Sequence, residues 1–122
     1  MALPKLVKVG GTYYSGHTLS VLAAAGDYVL DLAFATAGAT NAMSIVPDKA
    51  GAGDTFIVEH LDASDVLIKT LAEDVPNLGA YAAWKLDFPA LELVRTGEKV
   101  RVTYTNAAGI ALTLHVVLER IK

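Results

Sequence analysis

The feature that most restricts how this chain can fold is a side-chain alternation of period two that recurs along the sequence. Ile110, Leu112, Leu114, Val116 and Leu118 alternate with Ala111, Thr113, His115, Val117 and Glu119. Val100, Val102 and Tyr104 alternate with Lys99, Arg101, Thr103 and Thr105, and Tyr28, Leu30, Leu32 and Phe34 with Asp27, Val29, Asp31 and Ala33. In an extended chain successive side chains point to opposite faces, so each run gathers its large apolar groups on one side. Wound as a helix, the same residues would be spread around the axis. Residues 56–61 form a shorter run of the same kind. Gly26-Asp27, Gly53-Asp54 and Gly97-Glu98 each place a glycine and an acid just before a run, where a tight entry with a water-facing carboxylate is expected. Residues 106–109, ending in Gly109, predict a hairpin joining the last two strands.

Two segments are less regular. Residues 64–75 fit a helix capped by Ser64 with Leu67, Leu71 and Val75 on one face, or a strand over residues 66–72 followed by a Pro76-Asn77-Leu78-Gly79 turn. Residues 1–10 read as an N-terminal arm, with Pro4 limiting pairing and Gly10-Gly11 following a short Leu6 to Val9 run. The remainder, residues 11–122, reads as one domain of about eight strands with regular turn signals. That pattern predicts an all-β fold, an antiparallel β-sandwich of jelly-roll type.

Composition narrows the function. The 122 residues include no cysteine, which excludes a disulfide framework, a thiolate metal site and a cysteine nucleophile. A net charge of −3 argues against a surface that neutralises many nucleic-acid phosphates. No run approaches the roughly 18 apolar residues of a membrane span, and the start lacks the pattern of an export signal, so neither membrane insertion nor export is expected. Hydrophobic residues make up 53% of the chain and charged ones 19%, against about a quarter charged in ordinary soluble domains. Twenty of the hydrophobic residues are alanine, but the larger ones remain numerous. Such a chain either leaves apolar skin exposed or has it covered by neighbours, and cover is the expectation.

Catalytic or cofactor chemistry has little to build on. His17, His60 and His115 are scattered and read as surface or interface histidines, and there is no G-x-S-x-G elbow to fix a nucleophile. Residues 60–65 carry Asp62 and Asp65 but lack the dense acidic pattern of a calcium loop, so a solvated turn is expected and no metal. Gly51-Ala52-Gly53 lacks the Lys-Ser or Lys-Thr of a phosphate-binding loop. Lys99 and Arg101 make a small basic spot on one strand face, of use against sheet-edge aggregation. Trp84 and Tyr81 would form a sugar-stacking platform if exposed, though the nearby Leu86, Phe88 and Leu91 favour a core tryptophan. Tyr13 and Tyr14 suit an interface.

Residues 52–60, 91–106 and 111–120 together resemble, in style and pattern, a small β-sandwich structural protein of tailed bacteriophage virions. The likeness spans roughly residues 25–122. It implies a non-enzymatic capsid decoration (cement) subunit without cofactors, made in the host cytoplasm and carried on the capsid surface. Its implied partners are the major capsid protein and further copies of itself, as trimers or other oligomers. Leu3, Leu6, Val7 and Val9 of the arm are then expected to dock on the shell or a sibling subunit, by adding a strand to an open sheet edge. The rival readings are a carbohydrate-binding module using Trp84 and Tyr81, or another virion component such as a spike or fibre base.

Overall fold

A computed structural model describes residues 6–9 and 12–121. Among these residues the chain forms nine strands and no helix: β1 (Leu6–Val9), β2 (Thr12–Val21), β3 (Gly26–Ala33), β4 (Gly38–Pro47), β5 (Thr55–Leu61), β6 (Leu67–Pro76), β7 (Trp84–Val94), β8 (Lys99–Asn106) and β9 (Leu112–Arg120). They build two antiparallel sheets, ordered β1-β2-β9-β4-β7 and β3-β8-β5-β6. The pairings nest around the β5–β6 hairpin: β4 with β7, β3 with β8, β2 with β9. A long hairpin rolled up in this way is the jelly-roll layout that the alternation predicted.

The core lies between the sheets and is filled by the predicted parities. Val100, Val102 and Tyr104 of β8 and Leu114, Val116 and Leu118 of β9 are fully buried or nearly so. Met43 and Ile45 of β4, Phe56 and Val58 of β5, Leu32 of β3 and Phe34 just after it join them. Each such side chain contributes about 1.5–3 kcal/mol by leaving water. The Arg120 guanidinium closes one end of this core, 4.1 Å from the centre of the Phe34 ring.

Three expectations need correction or completion. Residues 106–109 do not close a hairpin: β8 pairs with β3 and β5, whereas β9 pairs with β2 and β4 in the other sheet. A short glycine-ended loop serves equally well to step across the sandwich, and this one does. The ambiguous stretch after Ser64 is a strand, β6, with several register irregularities against β5. The Leu6 to Val9 stretch, expected to lend itself to a neighbour, is already paired along one edge with β2 of its own chain, Leu6 opposite Ser15 and Val9 opposite Thr12. The five-stranded sheet ends on it. Leu3 lies outside the described residues.

Candidate interaction face

The most concentrated chemistry is buried. His60 lies at an inward position of β5, in step with Phe56 and Val58, and is 2% exposed. Its Nδ1 is 2.6 Å from Glu92 Oε2 on β7, and its Nε2 is 3.0 Å from Glu98 Oε1 in the turn before β8. Lys69 Nζ on β6 lies 3.4 Å from Glu92 Oε1. The Arg95 amide donates to Glu98 Oε1 at 2.9 Å. That amide first, and His60 after it, hold the Glu98 carboxyl below the ordinary glutamate range. The cluster ties β5 and β6 of one sheet to β7 of the other. Both ring nitrogens of His60 are engaged, so neither is available to serve a nucleophile, and the arrangement works as a clamp. His60 is therefore not the surface or interface histidine expected, and Glu98 is not a water-facing turn acid.

A second polar network lies beneath the loops at one end of the sandwich. Asp54, also expected in water, is 1% exposed. Its Oδ1 accepts the Ala107 and Ala108 amides at 2.7 and 2.9 Å, and its Oδ2 accepts the Tyr104 hydroxyl at 2.5 Å. Tyr104 Oη in turn accepts from Asn77 Nδ2 at 2.9 Å. Burial first, and Asp54 after it, push the Tyr104 phenol up, which keeps it a hydroxyl donor. Asn106 Nδ2 donates to the carbonyls of Leu22, Ala24 and Ile110, and its Oδ1 accepts the Gly109 amide. Gly51 packs so closely that an added Cβ would stand 2.0 Å from Asp54 Oδ2, which is why no side chain fits there. Loops 22–25, 48–54, 77–83 and 107–111 are thus held from below by four side chains whose polar groups turn inward.

What these loops present outward is mostly apolar, Lys49 excepted. Residues 22–25, 50–53, 77–83 and 107–111 are twenty residues without a single Asp, Glu, Lys, Arg or His. All but Gly51 reach solvent. Leu22 is 65% exposed, Leu78 63%, Tyr81 72% and Ile110 41%. Of the ionisable residues adjoining them, Asp48 accepts the Thr113 amide and Lys49 is exposed. Charge collects instead on the outer face of the four-stranded sheet, towards the opposite end. There Arg101 makes two bonds to Asp31, at 2.7 and 3.0 Å, and Lys99 pairs with Asp65. Lys99 and Arg101 are therefore neutralised by acids and lie on an inner strand, not at an edge.

The other sequence candidates, Tyr81 excepted, fall apart from this end face. Tyr13 and Tyr14 are half-buried on β2, opposite Arg120 and Glu119 of β9. Trp84 packs against the core while Tyr81 projects into solvent, so the two rings do not make one platform. His17 is half-buried beside Ser15, with its pKa lowered by burial, and His115 is exposed. Asp62 caps a turn through the Ser64 and Val66 amides, and no metal-binding cluster occurs among the described residues. The sequence signal for the clamp was a histidine at an inward strand position. The signal for the end face was four separate stretches, residues 22–25, 50–53, 77–83 and 107–111, made almost wholly of small and apolar residues.

No protein-family model and no curated protein sequence matches the chain. Among solved structures it is similar to the Drosophila melanogaster CENP-C cupin domain, at 10% identity, over 94% of this chain and 74% of that one, with a TM-score of 0.33. A second structure, Drosophila melanogaster CENP-C bound to CAL1, aligns over 94% and 80% at 10% identity and a TM-score of 0.23. At these values the likeness carries no inference about what this chain does.

Proposed function

We propose that this protein is a non-enzymatic structural subunit of a tailed-phage virion, a capsid decoration protein that stabilises the shell through protein–protein interfaces. The observation that supports this most is the largely apolar end face: Leu22, Leu78, Tyr81 and Ile110 left in water on loops that a buried polar network holds in place. A lone soluble domain gains nothing from such a surface, whereas a subunit that functions by being covered requires one. The jelly roll serves viral capsid proteins, lectins and cupins alike, so the fold by itself does not choose among them. Carbohydrate binding is less well supported, because Trp84 turns to the core and the polar side chains under the loops are spent on backbone groups. The test is co-sedimentation with empty tailed-phage shells stripped of accessory proteins. Saturable pelleting and a raised shell disruption temperature are expected; a protein that stays in the supernatant with every shell overturns the proposal.

A further inference from the structure

We infer that the buried His60 cluster retains a proton between His60 Nδ1 and Glu92 Oε2 at neutral pH. The cluster is then a latch between the two sheets that base releases, whatever the protein binds. An ionised carboxylate only accepts hydrogen bonds, and a neutral imidazole has a single N–H to give. Glu98 Oε1, kept ionised while it takes the Arg95 amide, claims the proton on His60 Nε2, 3.0 Å away. Nδ1 and Glu92 Oε2 stand 2.6 Å apart, closer than two facing lone pairs allow, so a second proton lies between them. The groups titrate together, and that proton belongs to the pair.

Charge agrees. Glu92 from β7 and Glu98 from the turn before β8 face the ring, and Lys69 from β6 reaches Glu92. Two carboxylates against one ammonium leave the buried cluster short of a positive charge, which the retained proton supplies. On β8 the residue opposite His60 is the apolar Val100, and Glu59, Lys99 and Arg101 have the outward parity of their strands. Arg95 gives its amide while its side chain is exposed. Arg120 of β9 is separated from Glu92 of β7 by Thr40 of β4. In the unfolded chain a histidine gives up its proton at about pH 6.5. Above that pH the folded chain holds the extra proton. The stability it brings is complete below about pH 6.5 and is lost as pH rises through the range where the cluster itself deprotonates. Its loss sets two lone pairs against each other in the seam that ties β5 and β6 to β7. The strand freed first is β6, an edge with several register irregularities.

Nitrogen-15 NMR near pH 7.5 tests the proton, in a chain carrying His17→Gln and His115→Gln so that His60 is the remaining histidine. Both ring nitrogens are expected to bear hydrogen; one bare nitrogen overturns the inference. Denaturant unfolding between pH 7 and pH 9 tests the linkage. The wild-type unfolding constant is expected to rise by up to about tenfold per pH unit. In Glu92→Gln, whose side-chain amide can donate to a bare Nδ1, the rise is expected to be much smaller. Equal slopes overturn the inference, and the NMR result decides it alone should that variant not fold. Amide exchange reads the latch: protection across β6 is expected to fall with rising pH before protection across β9. Protection that falls uniformly, or not at all, overturns the release of β6.

Discussion

Three buried acids, Asp54, Glu92 and Glu98, show how single residues hold this molecule together. Asp54 closes the loop end by accepting two amides and a phenol, and Tyr104→Phe removes the group that satisfies both Asp54 Oδ2 and Asn77. Loss of that hydroxyl is expected to cost about 1–3 kcal/mol in denaturant unfolding, with little change in the sandwich itself. At the other cluster, His60→Ala removes the hydrogen-bond partner of both Glu92 and Glu98 and leaves these buried carboxyls short of one contact each, expected to cost about 1–3 kcal/mol in denaturant unfolding. Glu98 supplies the pH dependence. Its folded pKa lies below the ordinary value of 4.5, so its ionised form stabilises the fold above that pH, and the contribution fades as pH falls through the folded value. Thermal unfolding between pH 5 and pH 3 is therefore expected to fall more steeply for wild type than for Glu98→Gln; parallel slopes would remove Glu98 from the account.

At the scale of elements, β3, β5, β8 and β9 are legible because one face of each is buried and the other is not, which imprints a strict alternation on the residues. β6 is ambiguous because bulges against β5 break that alternation and leave Leu67 and Ile68, consecutive residues, both half-exposed. The crossing between β8 and β9 is misread because loop length does not reveal which sheet the next strand joins; that is decided by partners far away in sequence. His60 shares the parity of Phe56 and Val58, which contradicts its reading as a surface or interface histidine, and Glu92 and Glu98 become its partners only through the fold. The loop end is likewise assembled from four segments spread over some ninety residues of chain. Gly51 lets one of them close, and Gly51→Ala is expected to displace Asp54. Faster amide exchange at Ala107 and Ala108 is the readout, and unchanged exchange would refute the close-packing argument. The N-terminal strand gives a separate test: deleting residues 1–10 is expected to weaken shell binding if the outer edge of β1 adds to a neighbour's sheet. Undiminished binding removes Leu3, Leu6, Val7 and Val9 from the interface.

Across the whole molecule, surface character is divided. The outer face of the four-stranded sheet carries a network of Asp31, Asp65, Lys99 and Arg101 that suits water, while the loop end is mostly apolar, with Lys49 exposed at its margin. Exposed apolar groups also occur at the start of β6 and the end of β7, where Leu67, Ile68, Leu91 and Leu93 are half-exposed or more. This division accounts for the low charged fraction of the sequence: the core uses much of the apolar excess, and the remainder is concentrated on particular regions of the surface. The jelly roll supplies a rigid body between them. Light scattering of the wild-type chain, alone and with empty shells, tests the central claim that this surface is made to be covered by protein. The account predicts a mass above the 12.8 kDa of one chain and capture by the shell; a 12.8 kDa particle at every concentration, ignored by every shell, would contradict it.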